Sequence, residues 1–392
     1  MDGRAATRPL HIAGFGALSG PVRAFGINSR AALTAATDSI NRTGGVRLAD
    51  GAVGRFVVSY ADDHCAPSDG IALARRIAAS DALVAVGPSC SSVAEPLYHA
   101  LRSTAGDGTS ELADTGLALP VFTDGATKAN LARISPWAFR NAPDEIAMYP
   151  ALWAWVRRRY PSATTIAAGE EADFAHSHST WQNIIGPSAT AAGLRVLGAV
   201  GWSILDTALA TPVARLAAMR ADVVVLSAHA VGTCAALREM HRQGVRPVVV
   251  VGLTSASSEE TLARCGADAE GLLIPTSFVR TSREGRAAAS AVGRAGGAAD
   301  LHSMAAWEIV FALRRAIELA GIVGLPETLA ADRRRLRDAL AGLTTMDGVL
   351  GPIVRTPDRE SRKPFVLVRA HAGAWQVVNA PARSAGEADT PR

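Results

Sequence analysis

Two strand-to-helix turns carry the residues with the most chemical content. In "ALVAVGPSCSSVAEPLY" an apolar strand hands over to a helix at Ser91 and Ser92, with Glu95 placed as in a capping box and Pro96 acceptable in the first turn. A helix starting there presents free N–H groups and the positive end of its dipole, so a carboxylate would be held by the Ser91 hydroxyl and backbone N–H groups. The same serines serve equally well as ordinary helix caps. In "PVFTDGATKANL" a second strand ends where Gly125 permits close backbone approach and Thr127 offers a hydroxyl and an N–H. Two such turns on neighbouring parallel strands form the crevice in which open α/β sheets bind ligands.

Other constellations are weaker. "AGFGALSGP" begins like a dinucleotide fingerprint with Gly14 and Gly16, but Ser19 stands at the third glycine, Pro21 follows, and the acidic pair Asp62 and Asp63 lies too far on. "HSHS", with His176 and His178, has no Cys or carboxylate at ligand spacing beside it, so no metal is expected. No nucleophile elbow or paired carboxylate stands out, which argues against an enzyme. Cys65 and Cys90, 25 residues apart, each sit where a strand passes into a helix and could close one loop worth about 3 kcal/mol if oxidised. Cys234 and Cys265 fall on predicted helices and read as buried thiols, with a second disulfide left open.

The elements that must position these residues follow a repeating β/α pattern. "LHIAGFGAL", "GRFVVSYADD", "ALVAVGPS" and "ALPVFTDGA" read as strands, with "RAALTAATDSINRTGGV" and "PSDGIALARRIAAS" as helices among them. The order then restarts with "SATTIAAGE", "GLRVLGAVGW", "ADVVVLSAHA", "RPVVVVGLT" and "AEGLLIPTSF". Two long helices, "LHSMAAWEIVFALRRAIELAGIV" and "ADRRRLRDALAGL", and two short strands, "GVLGPIVRT" and "KPFVLVRA", come last and suggest that the chain crosses back to its first half. The tail beginning "APARSAGEADTPR" is polar and rich in Pro, Ala and Gly, and is expected to be disordered.

Composition bounds the class. A chain of 392 residues, 48% hydrophobic, is long enough for two ordinary domains. The net charge of +4 rests on Arg spread along helices, with short clusters at Arg157–Arg159 and Arg333–Arg335, and Lys only at Lys128 and Lys363. That distribution argues against nucleic acid. No apolar run approaches the roughly 20 residues of a membrane span. "MDGRAATRPL" lacks the apolar stretch of a secretory signal, which points either to a removed leader or to a cytosolic protein.

With these residues in view the chain resembles the periplasmic solute-binding proteins of the leucine/isoleucine/valine type, the first component of amino-acid ABC importers. The resemblance covers roughly residues 8–378 and rests on "GALSGPVRAFG", "INRTGGV", "DDHC" with "GPSCSS", "DGAT", "FRNAPDE", "GADAEGLL", the "AAWEIVFALRRAI" helix and "MDGVLGP". It implies an α/β fold of two doubly wound parallel-sheet lobes joined by a three-strand hinge, closing over one ligand without catalysis. The lobes would comprise residues 8–138 with 276–350 and 139–275 with 351–378, leaving 379–392 as the disordered tail.

Carried over by position, Ser91 and Thr127 would bind the ligand carboxylate through hydroxyls and N–H groups, the Gly125 carbonyl would face an amino group, and Ser92 and Ala126 would join the ligand-binding set. Phe25, Phe174 and His302 would form walls around the ligand side chain, where ordinary core packing is the alternative, and Cys65 would pair with Cys90. Two departures stand out: Thr254 replaces the acid that neutralises the α-ammonium, and His229 stands where the family often has Tyr. Either Asp124, Asp173 or a neighbouring acid substitutes, or the ligand lacks a free amine, because a buried ammonium without a carboxylate is costly. The resemblance further implies a monomer without cofactor, working outside the cytoplasm with a membrane permease. The alternative is a cytosolic ligand sensor on the same fold, resembling amide-responsive regulators.

Overall fold

Apolar β-branched runs alternate with helices rich in Ala, Leu and Arg, and in the computed structural model, which describes residues 6–103 and 117–379, each run becomes a strand covered by the helix that follows. The first stretch comprises β1 (Thr7–Gly16), α1 (Arg23–Arg42), β2 (Val46–Arg47), β3 (Val53–Asp62), α2 (Pro67–Ala78), β4 (Val84–Val86), α3 (Ser91–Ser103), β5 (Val121–Thr123) and β6 (Ala138–Arg140). The second comprises α4 (Glu145–Arg159), β7 (Thr165–Glu171), α5 (Ala175–Thr180), α6 (Gly186–Ala191), β8 (Arg195–Trp202), α7 (Ala210–Ala218), β9 (Val223–Ser227), α8 (Ala230–Arg242), β10 (Val249–Gly252), α9 (Glu259–Cys265) and β11 (Leu273–Thr276). There follow α10 (Arg283–Arg294), α11 (Leu301–Ala320), α12 (Leu329–Gly342), β12 (Thr345–Met346), β13 (Ile353–Arg355), β14 (Ser361–Arg362), β15 (Val366–His371) and β16 (Ala374–Val377).

The chain divides into two units: Met1–Pro143 with Arg280–Lys363, and Asp144–Val279 with Pro364–Arg392. In the first unit the sheet order is β2-β3-β1-β4-β5-β6, parallel except for β2. The second unit has β16-β15-β11-β10-β9-β7-β8, with β15 and β16 antiparallel at one edge. Both are doubly wound, and in each the first long strand lies between the next two, which places a topological switch point at the carboxyl ends of β1 and β4 and of β7 and β9. Parallel strands roofed on both faces read as unbroken apolar runs, and β4, β5 and β9 are buried throughout. The first unit's core gathers Phe15, Leu97, Tyr98, Leu101 and Trp137, and the second gathers Tyr149, Trp153, Ile185, Val225 and Leu273.

Three details correct the sequence reading. Residues 351–363, expected with the second lobe, belong to the first unit: β13 and β14 pair beside β12, and the Ser361 hydroxyl donates to the Arg140 carbonyl at 2.6 Å. Cys234 and Cys265 are not thiols but a disulfide, because α8 and α9 bring their Cα atoms to 4.8 Å. Of the expected tail, Asn379 accepts a hydrogen bond from the Leu367 N–H at 2.6 Å, and residues 380–392 lie outside the described ones.

Within the first unit the chain's last lysine is wholly buried. Lys363 Nζ meets Glu308 Oε2 at 2.5 Å, and Glu308 also accepts from the Asn141 amide at 3.0 Å and the Val349 N–H at 2.9 Å. Burying two charges costs several kcal/mol per ion, so removing one partner strands the other. We expect Lys363→Met to lower unfolding free energy by about 3–5 kcal/mol, read as a drop in the urea midpoint at unchanged slope.

Candidate functional site

In the first unit β4 and β5 are hydrogen-bonded neighbours, Ala85 facing Val121 and Val86 facing Phe122, so the turns that leave them lie side by side. The chain departs from β4 through Gly87 at φ 121°, where a Cβ would stand 2.0 Å from the Phe15 carbonyl oxygen. Only glycine permits that approach. Helix α3 begins at Ser91, and the Cys90 carbonyl accepts from the Val93 and Ala94 N–H groups. The Ser91 and Ser92 N–H groups therefore precede the helical ladder. Glu95 does not complete the expected capping box; its carboxylate meets Lys128 Nζ at 2.5 Å, and the Lys128 N–H donates to the Ser91 hydroxyl at 3.2 Å. The residue after Thr127 thus ties the two turns together.

The second turn is held from behind by Arg140. This buried guanidinium donates to the carbonyls of Ala126 at 2.8 Å, Thr127 at 2.6 Å and Pro143 at 2.7 Å, and meets Glu360 Oε2 at 2.8 Å. With those carbonyls engaged by Arg140, and the Ala126 and Lys128 N–H groups donating to the Thr123 hydroxyl at 3.2 Å and the Ser91 hydroxyl, the turn keeps the Gly125 and Thr127 N–H groups and the Thr127 hydroxyl as donors, and a positive charge lies behind them. Gly125 packs against the other turn, where a Cβ would lie 2.8 Å from the Ser89 carbonyl oxygen. Between the turns sits Asp124, whose Oδ1 accepts from the Ser89 hydroxyl at 3.1 Å and whose carboxyl burial pushes up to about 6.

A disulfide fixes the flank of the first turn. Cys65 and Cys90 are bonded, with Cα atoms 5.8 Å apart. His64 and Cys65 both adopt left-handed backbone, at φ 53° and 54°, a cost met by Asp62 accepting the His64 N–H at 2.8 Å and Asp63 accepting the Cys65 N–H at 2.9 Å. Phe25 on α1 and His302 on α11 meet at a tilt of 51° with ring centroids 4.5 Å apart; His302 is buried and Phe25 half-buried.

In the second unit Phe174, His229 and Thr254 follow the carboxyl ends of three adjacent strands, β7, β9 and β10. The Phe174 and His229 rings meet edge to face at 4.8 Å. What sequence reasoning missed are the acids behind them. Glu171, the last residue of β7 and buried, contacts His229 Nδ1 at 2.6 Å and accepts the His229 N–H at 3.1 Å and the Ser177 hydroxyl at 2.8 Å. Glu145, in the first turn of α4, accepts the Thr254 hydroxyl, contacts His176 Nε2 at 3.2 Å and accepts from Thr180 at 3.3 Å. Glu170 and Glu171 are two acids ending a strand that is buried beyond its first residue, a signal visible in "TIAAGEE"; Glu145 stands within "FRNAPDE" but reads as an ordinary first-turn acid.

Position 254 thus lacks an acid of its own yet has Glu145 against it. Asp173 is no substitute: it is exposed and tied to the Ser203 hydroxyl at 2.6 Å and the Ile204 N–H at 2.8 Å. His176 and His178 have carboxylate neighbours after all, His178 facing Glu170 at 3.1 Å, but the described residues hold no group of three or more His, Cys, Asp or Glu that could bind a metal.

A family model described as "Periplasmic binding protein" matches residues 9–374. No curated protein matches the chain. Among solved structures, the branched-chain amino acid transporter substrate binding protein LivJ from Streptococcus pneumoniae, in complex with isoleucine, is similar at 16% identity over 94% of this chain and 98% of that one, TM-score 0.77. A leucine binding protein, LivK, from Thermotoga maritima is similar at 14% identity over 95% and 98%, TM-score 0.78. A solute binding protein of an ABC transporter from R. palustris, in complex with benzoate, is similar at 17% identity over 96% and 98%, TM-score 0.78. At these identities the likeness is one of fold.

Replacing Arg140 by Met would leave three carbonyls and Glu360 buried without their partner. We expect a loss of about 3–5 kcal/mol in chemical denaturation, with Arg140→Lys recovering only part because an ammonium cannot span the same fork of acceptors.

Proposed function

The chain belongs to the periplasmic binding protein family, and on that premise we propose that it is the extracytoplasmic solute-binding component of an ABC importer. Its ligand in this reading is an amino acid or a related small carboxylate, and its partner is the membrane permease that receives the solute. It acts as a monomer and uses neither cofactor nor catalytic step.

The observation that carries the reading is the pair of linked turns in the first unit. The Ser91 and Thr127 hydroxyls and the N–H groups around them are set by the Ser91–Lys128 hydrogen bond and by Arg140 holding the carbonyls away. Such an arrangement favours an anion that accepts several hydrogen bonds at once. Isoleucine and benzoate, the solutes named with two of the similar structures, both place one carboxylate on an apolar body. The two disulfides support export, because such bonds persist mainly outside the reducing cytosol. A cytosolic sensor would have to keep both against that tendency.

Ligands are to be sought by thermal shift with L-leucine, L-isoleucine, benzoate and 4-hydroxybenzoate, since a compound at 100 times its dissociation constant adds about 2.7 kcal/mol of stability. For whichever binds, Ser91→Ala with Thr127→Ala should weaken binding by about 3 kcal/mol, roughly 100-fold by calorimetry. Unchanged affinity would remove the carboxylate from these turns.

Glu145 bears on the amine. In this reading it supplies the negative charge that Thr254 does not. Glu145→Gln should then cut affinity for L-isoleucine by about 2–3 kcal/mol while leaving benzoate within about 0.5 kcal/mol. Equal losses for both compounds would show that Glu145 only supports the fold.

A further inference from the structure

A carboxylate buried between two turns that are built to hold an anion is an unusual neighbour for one. Asp124 lies one residue after β5 and directly before Gly125, Ala126 and Thr127, and it is 1% exposed. Its Oδ1 accepts from Ser89, which stands two residues before Ser91 on the adjoining turn, at 3.1 Å. The turns that carry the proposed anion donors therefore meet at this one carboxyl, and Gly125 brings them together so closely that a Cβ there would lie 2.9 Å from the Ser89 Cα. If it were ionised, an arriving carboxylate would meet a like charge in a site shielded from water.

We infer that the anion site of the first unit is proton-linked, a carboxylate ligand binding together with one proton carried by Asp124. This deepens the proposed function and rests on it. The surroundings favour the neutral acid. Ser29 on α1 faces Asp124 as well, and the titratable groups that bear on it are acidic or neutral: Tyr60 on β3, Tyr98 on α3 and Asp300 capping α11, with Asp63 beyond Tyr60. Arg30 on α1 bears on Tyr60 and Arg140 on β6 on Tyr98, but Arg30 is exposed and Arg140 is committed to three carbonyls and Glu360. Asp300 is occupied with the His302 and Ser303 N–H groups and the Asn28 amide. Burial moves Asp63 and Asp124 alike to about 6, above the ordinary carboxylate range, so both change protonation in the mildly acidic range.

The sign follows from linkage. A bound anion raises the Asp124 pKa further, so the complex holds more protons than the free protein and affinity falls as pH rises through about 6 and above. The test uses the full chain with benzoate or L-isoleucine, neither of which titrates between about pH 5.5 and 7.5. If the bound anion raises the Asp124 pKa by about one, calorimetry near pH 6.5 in buffers of different ionisation heat should show uptake of about half a proton per ligand, and affinity should drop about sixfold between the two pH values. Asp124→Asn, which still accepts the Ser89 hydroxyl, should abolish the uptake and flatten the profile; Asp63→Asn should keep both. Binding by the wild type without proton uptake overturns this inference and leaves the proposed function standing. Uptake that survives Asp124→Asn overturns the assignment to Asp124, and failure of every carboxylate in the panel to bind overturns both readings.

Discussion

A buried guanidinium, Arg140, decides which way the backbone of the Asp124–Lys128 turn faces. A turn at the end of a parallel strand carries both donors and acceptors, and nothing local makes it present only the donors. Arg140 breaks that symmetry by taking the Ala126, Thr127 and Pro143 carbonyls for itself and by being balanced in turn by Glu360. Glu360 comes from a segment more than two hundred residues away, and its other oxygen accepts the Ala132 N–H at 2.9 Å. The outward chemistry of one turn thus depends on the last part of the first unit.

Elsewhere buried polar groups are settled by the same logic of full pairing. Glu308 and Lys363 close a network in the first unit, and in the second Glu145 and Glu171 are each engaged by several side chains. Fully satisfied networks of this kind tolerate burial and hold side chains in single positions, whereas a network with one member missing is worse than an apolar core. The second unit's acids therefore come with their geometry already determined: Thr254 and His176 orient Glu145, while Ser177 and His229 orient Glu171.

Much of the architecture was legible because it is written in local pattern. Apolar strands followed by amphipathic helices, repeated twice, announce doubly wound sheets, and the turns at Ser91 and Gly125 could be read from the residues that begin helices and permit close approach. Three of the places where reading failed depend on partners distant in sequence. Glu95 looked like the far half of a capping box but is drawn to Lys128 from the next turn. Cys234 and Cys265 are joined only because α8 and α9 lie side by side. Residues 351–363 form short strands whose affiliation is decided by β12 and by Arg140 rather than by their own sequence. Glu145 shows the same limit at the candidate site: an acid near a helix start is commonplace until Thr254 is found against it.

Each unit is assembled from pieces that are not contiguous in the chain. The first unit's sheet is complete by Arg140, yet α1 packs against α11, whose residues are made only after the entire run of parallel strands of the second unit. The second unit's sheet likewise receives its two antiparallel edge strands, β15 and β16, from the final segment. A growing chain emerging from the ribosome therefore cannot seal either core in order, since apolar faces of the first half stay uncovered while the second is being synthesised, and both are closed only near the end. A chain that stops between α11 and β13 would therefore leave two incomplete halves rather than one finished one.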